Sequence, residues 1–224
     1  MSAPGEDVLH RHEGWLRKDY SMSGAIDWLV FDLGGVLVRL TGVPTMLEWT
    51  PGDLTEPELW EKWLRSEAVR SFESGTIDHQ QFAATIIEEF RLSVSGDEFI
   101  AAFETWTDGL FDGVEELLNS LRSHYRLATL SNTNAIHWPK LTTVMGLATL
   151  IDTHFPSHES GLLKPDAAAF DNAVKQLGVT PDQILFFDDN DLNVTGARKS
   201  GLQAEIAHLA DGLRARRDVP VVGA

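Results

Sequence analysis

The sequence predicts an α/β protein, a parallel sheet core carrying an inserted α-helical bundle, and three observations lead there. Short apolar runs end in polar residues: Leu29-Val-Phe-Asp32, Leu127-Ala-Thr-Leu-Ser131 and Ile184-Leu-Phe-Phe-Asp188-Asp189. Runs this short and this apolar suit strands buried on both faces of a parallel sheet. The first two are about 90 residues apart, whereas a crossover between parallel strands needs only a dozen or more. The interval between them has the apolar period of helices, which makes it an insertion rather than a loop.

Taken in order, residues 1–24 are polar, carry Gly5 and Gly14 and show no apolar period before Ile26. They are expected to form a mobile extension, the fold starting near Met22. Trp28–Phe31 is aromatic and β-branched like a central strand; it runs into Asp32 and breaks at Gly34-Gly35, where a turn can bring backbone close to a ligand. Residues 36–42 read as a small turn and flap. Residues 44–109 carry helical stripes at Leu59, Trp60, Trp63 and Leu64, at Phe82, Ile86, Ile87 and Phe90, and at Phe99, Ile100, Phe103 and Trp106. Pro51-Gly52, Gly75 and Ser95-Gly96 punctuate them. Three or so such helices cannot bury their stripes singly, so 44–109 is expected to be a bundle of its own, leaving 25–43 and 110–224 as the core. Of the seven tryptophans, Trp49, Trp60, Trp63 and Trp106 lie in this segment. The last three sit at core spacing and are expected to fill the bundle, while Trp49, beside a loop, is the expected substrate contact.

Val114, Leu117, Leu118 and Leu121 mark a helix leading to the second strand, which Ser131-Asn132-Thr133-Asn134 closes and from which a following helix can be capped. A third strand is expected around Leu150–Phe155. Gly161-Leu-Leu-Lys164-Pro165-Asp166 then places a lysine ahead of a helix bearing Ala169, Phe170, Ala173, Val174 and Leu177. A cation at that end opposes the helix dipole, so a bound anion or acid partner is the expected reason for it. Thr180-Pro-Asp leads into the fourth strand, Leu202–Ala207 forms a fifth, and the tail from Gly212 is expected to be loosely held.

Composition limits the partners. Thirty-four acids against 18 Lys and Arg give a formal charge of −16, which repels nucleic acid and anionic membrane, so neither is an expected partner. With no cysteine, no run of about 18 apolar residues and no signal-peptide pattern, a soluble cytoplasmic protein is expected. A phosphate-bearing substrate would meet the same repulsion, so an anion site has to be built locally, from a lysine, a cation and backbone N–H groups.

In an open α/β sheet, ligands bind beyond the carboxyl ends of the strands, where Asp32, Ser131, Lys164 and Asp188-Asp189 can converge. These four stretches, in this order over about residues 26–208, resemble the haloacid dehalogenase (HAD) superfamily. The resemblance is closer to its phosphatase branch, which includes alpha-D-glucose-1-phosphate phosphatase and the phosphatase domain of soluble epoxide hydrolase. It implies a Rossmann-like parallel sheet core with an inserted α-helical cap. It also implies a Mg²⁺-dependent phosphatase of a small phosphorylated metabolite, a sugar phosphate foremost.

Residue by residue, the resemblance makes Asp32 the nucleophile that becomes an aspartyl-phosphate. Ser131 and its neighbour Asn132 would bind phosphate oxygens and Lys164 would neutralise them. Asp32, the backbone carbonyl of Gly34 and Asp189 would hold the metal, with Asp188 in the metal set or orienting a metal-bound water or Lys164. Asn190 and Asn193 stand behind these. His137, six residues past Ser131, is a candidate for touching substrate or water. The chain departs from the family at Gly34, where an acid usually follows the nucleophile by two positions. Without that acid, substrates whose leaving oxygen needs little protonation are expected to be preferred, such as sugar 1-phosphates, acyl phosphates or aryl phosphates, unless a surrogate such as His137 supplies the proton. Two alternatives stay open: a metal-independent 2-haloacid dehalogenase, and a low-turnover phosphate-ligand-binding regulatory homologue. The oligomeric state is not legible.

Overall fold

The computed structural model describes residues 26–207; the expected extension at 1–24 and the tail from Gly212 lie outside the described residues. In chain order the elements are β1 (Trp28–Phe31), β2 (Val38–Leu40), α1 (Val43–Trp49), α2 (Glu56–Arg65), α3 (Glu67–Glu73), α4 (His79–Phe90), α5 (Gly96–Phe103) and β3 (Thr107–Leu110). They continue with α6 (Val114–Leu121), β4 (Arg126–Ser131), a π-helical turn (Lys140–Val144), α7 (Leu147–Leu150), β5 (Thr153–Pro156), α8 (Ser157–Ser160) and α9 (Ala167–Leu177). A 3₁₀ turn (Pro181–Gln183), β6 (Ile184–Asp188), α10 (Asp191–Lys199) and β7 (Gln203–Ile206) complete the described chain.

Five strands form one sheet in the order β5-β4-β1-β6-β7, and every pairing is parallel. Strand β1 is central and wholly buried, because its neighbours carry helices on both faces. Alternate residues supply the two faces. Leu29, Phe31, Leu127, Leu185 and Phe187 pack with Val114, Leu118 and Leu121 of α6. Trp28, Val30, Ala128, Ile184 and Phe186 pack with Phe170 and Ala173 of α9 and Val194 and Ala197 of α10. This two-faced burial is why the strands read as continuous apolar runs rather than alternating ones. The expected third strand begins at Thr153 rather than Leu150, because Leu147 and Leu150 lie on α7 and pack into the core from there.

The insertion leaves and re-enters the sheet layer through a two-stranded antiparallel ribbon, β2 against β3, with Val38 opposite Leu110 and Arg39 opposite Gly109. Between them stand five helices, not three. The additional ones, α1 and α3, are seven residues each, too short for a helical period to declare itself. Met46, Phe72, Phe82, Ile86, Phe99, Phe103 and Trp106 form a cluster separate from the two sheet faces. Three of the helices begin with reciprocal caps, Thr55 with Glu58, Asp78 with Gln81 and Ser95 with Glu98. Among the described residues no helix is long and apolar enough to cross a membrane.

Candidate active site

The three central strands end side by side, and their last residues or the next ones carry the polar groups. Asp32 follows β1, and its N–H donates to the Phe187 carbonyl of β6 at 2.8 Å, which seats it between strands. Ser131 ends β4 and Asp188 ends β6. Lys164 comes from the loop after α8, and the Asn132 side-chain amide positions it reciprocally. Its Nδ2 donates to the Lys164 carbonyl at 3.0 Å, and its Oδ1 accepts from the Lys164 N–H at 2.9 Å. The Asn132 side-chain amide is therefore occupied in aiming Lys164, which leaves its backbone N–H for the phosphate contact expected beside Ser131. The Lys164 ammonium, 2% exposed, lies 2.8 Å from Asp32 Oδ1 and 2.5 Å from Asp188 Oδ2. Burial opposes its charge, but Asp188 and Asp32 outweigh burial and hold it above the ordinary lysine value. Ser131 Oγ has only a 3.5 Å contact with the Asn132 carbonyl, so its hydroxyl can turn to a ligand.

Asp188 is fully buried and its oxygens are engaged within the protein. Asn193 Nδ2 donates to both at 3.0 Å, the Asn190 N–H donates to Oδ1 at 2.8 Å, and Lys164 holds Oδ2. It serves as the anchor of Lys164 rather than an open ligand. Even so, oxygens of Asp32, Asp188 and Asp189 lie within 4.8 Å of one another. Three carboxylates and one ammonium leave a negative surplus. Burial raises the Asp189 carboxyl to about 7, with Asp32 and Asp188 adding to the shift. Burial also raises Asp32, with Lys164 opposing and Asp188 reinforcing. A surplus of hard oxygen donors fits a small divalent cation, and Asp32 and Asp189 are the two carboxylates of the cluster that can turn towards one. Gly35, at φ +74, is required twice. Its backbone conformation disfavours a side chain, and a Cβ there would overlap the Asp189 carboxylate.

Above this floor lies a cavity of about 920 Å³, bounded by the strand ends, the β2–β3 ribbon and the helical insert. Trp63 and Trp106 pack in the bundle as expected, while Trp49 and Trp60 are placed otherwise. Trp49 ends α1 and packs on Phe99 inside the bundle, at 6.2 Å between ring centroids, whereas Trp60, Trp63 and Trp106 line the cavity. Trp63 and Trp106 do so while also packing in the bundle's aromatic cluster. His137 also lines it, yet its nitrogens are engaged. Nε2 lies 2.6 Å from the Phe103 carbonyl, Nδ1 lies 3.2 Å from Asn134 Nδ2, and the ring stacks on Phe103. One neutral tautomer satisfies both contacts. Burial pushes the ring down to about 4. His137 is thus a neutral tie between core and insert, not a phosphate ligand or proton source. Capping of the turn after β4 falls to Asn134, whose Oδ1 accepts from the N–H groups of Ile136 and His137, and Ser131 is left free of that duty.

The residue that sequence reasoning missed is Glu73, at the end of α3. It lines the same cavity, near enough to Asp32 and Lys164 for both to act on its carboxyl. Burial raises its carboxyl to about 7, Asp32 adds to the shift, and Lys164 and Arg70 oppose it. Its position is fixed through the backbone: Ser157 Oγ donates to the Glu73 carbonyl at 2.6 Å and accepts from the Thr133 N–H at 2.9 Å. A glutamate ending a short charged helix reads as solvated, and no local pattern in the sequence points to this contact across 84 positions.

A parallel sheet with an aspartate at the end of its central strand, a lysine bridged to two carboxylates and an inserted helical bundle matches one family model, that of the haloacid dehalogenase-like hydrolases, over residues 26–201. The chain belongs to that family. Among curated relatives of this HAD-like hydrolase, Drimenol cyclase drtB of Aspergillus calidoustus is 26% identical over 82% of this chain, which spans only 34% of that protein. Phosphatase MT3486 of Mycobacterium tuberculosis is 27% identical over 89% of this chain and 96% of its own length. (S)-2-haloacid dehalogenase 2 of Pseudomonas sp. is 32% identical over 78% of this chain and 80% of its own. A HAD-family enzyme of Bacteroides thetaiotaomicron, crystallised with magnesium and inorganic phosphate, superimposes with a TM-score of 0.65 at 25% identity, covering 81% of this HAD-like hydrolase and 94% of that chain.

Proposed function

We propose that the protein is a Mg²⁺-dependent phosphoric monoester hydrolase of a small phosphorylated metabolite, working through an aspartyl-phosphate on Asp32. The observation that carries this reading is the buried Lys164 bridging Asp32 and Asp188 at 2.8 and 2.5 Å, beside Asp189 and beneath a cavity. It is supported by the relative named a phosphatase along nearly its whole length and by the similar structure holding magnesium and phosphate.

Asp32, Asp189 and the Gly34 carbonyl would hold the cation, which would offset charge on the phosphoryl oxygens and keep Asp32 ionised. Asp32 attacks phosphorus in line, and the bond from phosphorus to the leaving oxygen breaks. Lys164 and the Ser131 hydroxyl steady the equatorial oxygens, and Asp188 holds Lys164 in place. Glu73, half-buried in the cavity wall, gives a proton to the leaving oxygen. Water then attacks the phosphorus of the aspartyl-phosphate, returns a proton to Glu73, and releases phosphate with Asp32 restored. Gly34 cannot take the proton role, and the place a side chain would occupy there is taken by Leu40, whose Cδ1 lies 2.9 Å from such a Cβ. In this reading residues 25–43 and 110–224 act as the catalytic core and 44–109 as the cap that selects the leaving group.

The test is phosphate release from a panel of phosphomonoesters, sugar phosphates included, with and without Mg²⁺. Asp32→Asn should lower turnover by more than about 100-fold in a folded protein, since the near-isosteric amide is a poor nucleophile. Retention within tenfold would overturn the assignment. The dehalogenase relative gives the second reading a definite outcome: chelator-resistant halide release from 2-chloropropionate without phosphate release. Tight phosphate binding without turnover or phosphoenzyme would instead favour the regulatory reading.

A further inference from the structure

We infer that the leaving group is an uncharged, predominantly apolar alcohol with an extended or ring-containing hydrocarbon body, rather than a sugar or a second anionic group. This rests on the phosphatase reading and narrows its substrate class.

The upper wall of the cavity is made of Met46, Leu59, Trp60, Trp63, Val69 and Trp106. Its polar groups are Thr41, whose hydroxyl donates to the Trp106 carbonyl at 3.4 Å, Thr107, Arg39 and Arg70, both held by carboxylates, Asn190 and Asp191 where α10 begins, and Glu73 near the floor. A hexose would bury several hydroxyls against the apolar faces of this wall, and an unpaired buried hydroxyl is costly. The mouth points the same way. Five large hydrophobic residues are exposed among the described residues, and three of them, Leu40 (44%), Leu64 (56%) and Leu192 (64%), line this one opening. They come from β2, α2 and α10, three elements with no local reason to share an apolar rim. Scattered exposed leucines need no explanation, but a ring of them around a cavity does.

Charge disfavours a second anion. The lysine and arginines lining the cavity are already paired. Lys164 lies on Asp32 and Asp188. Arg39 is on Asp108, Asp112 and the Leu110 carbonyl, at 3.1, 3.4 and 2.7 Å. Arg70 is on Asp166 at 3.0 Å. His137 is tied to Phe103 and Asn134. A carboxylate or second phosphate on the substrate would share a cation already balanced by a carboxylate while facing Glu73. A volume of about 920 Å³ lies at the upper end of ordinary ligand pockets, roughly 300–1,000 Å³, so a hydrocarbon body of ten or so carbons has room.

The experiment compares kcat/KM, with the full chain and Mg²⁺, for butyl, hexyl and octyl phosphate and a branched prenyl phosphate against glucose 6-phosphate, fructose 1,6-bisphosphate and 3-phosphoglycerate. The expected result is a rise of about fourfold per added methylene until the cavity fills. Octyl phosphate should then exceed glucose 6-phosphate by more than about 100-fold, the two anionic competitors should be poorest, and Trp60→Ala and Leu64→Gln should flatten the chain-length slope. A flat slope, or preference for the sugar or the bisphosphate, overturns the inference while leaving the phosphatase reading intact. If no phosphomonoester is turned over, the phosphatase reading fails instead. Calorimetric binding of butyl- and octylphosphonate then decides the apolar site on its own: affinity climbing with chain length keeps it, and equal affinity removes it.

Discussion

Gly34 and Glu73 share one problem between two residues. The chain carries no side chain two positions after Asp32, and Leu40 stands where one would go, while a carboxyl raised to about 7 lines the cavity from α3. Glu73→Gln should therefore lower kcat/KM, which reports departure of the leaving group and not the later attack of water, by about 10²- to 10⁴-fold on alkyl phosphates, and much less on 4-nitrophenyl phosphate, whose leaving oxygen needs no proton. Equal losses on both would make Glu73 structural. The sign of its effect on stability follows from linkage. A carboxyl raised from 4.5 to about 7 on folding keeps a proton that the unfolded chain has lost, so the metal-free protein loses stability as pH rises from about 4.5 to 7. Thermal melts across that range should show the fall, and Glu73→Gln should lessen it. At Gly35 the conflict is steric and conformational together: Gly35→Ala would place a side chain at φ +74 against Asp189. A stability loss of about 1–2 kcal/mol in denaturant titration is expected, together with a higher Mg²⁺ requirement because the carboxylate is displaced.

At the scale of elements, the helical insert is held to the core by a few polar ties rather than by its own cluster. Ser157 links the end of α3 to the turn after β4, His137 links that turn to the end of α5, and Arg70 pairs with Asp166 ahead of α9. Ser157→Ala removes the first tie and leaves the Glu73 carbonyl unpartnered on that side. The expected outcome is a lower kcat with a modest change in melting temperature, because the register of Glu73 is loosened while the sheet is untouched. Unchanged kcat would show that the remaining ties suffice. Much of this layer is legible in the chain itself. Pairs such as Asp78 with Gln81 and Ser95 with Glu98 mark helix starts by residue type and spacing alone. Helices α1 and α3 are not legible, because seven residues make barely two turns and their apolar positions answer to the bundle rather than to a repeat.

For the whole molecule, a charge of −16 and a carboxylate-rich floor lead to the prediction that a divalent cation stabilises the fold. Mg²⁺ at about 100 times its dissociation constant should stabilise the protein by about 2.7 kcal/mol, or roughly 5–10 °C in melting temperature for a chain of this size. Asp189→Asn should abolish most of that shift, which differential scanning calorimetry with Mg²⁺ and with chelator would measure. The sequence by itself determined the sheet, the place of the insertion and the stretches that supply Asp32, Ser131, Lys164 and Asp188-Asp189. Asp32, Ser131 and Asp188-Asp189 rest on a local pattern, an apolar run short enough to be a strand and a polar residue where it ends, and Lys164 on a cation set just ahead of a helix. Only the tertiary structure decided that Asn132 aims Lys164, that His137 is tied off, that Trp60 rather than Trp49 meets the cavity, and that Glu73 lines the same cavity as Asp32. Those outcomes depend on contacts between segments 32 to 84 positions apart, such as Asn132 with Lys164 and Glu73 with Ser157, and side chains that meet only after both segments have packed leave no periodic or neighbouring trace in the chain.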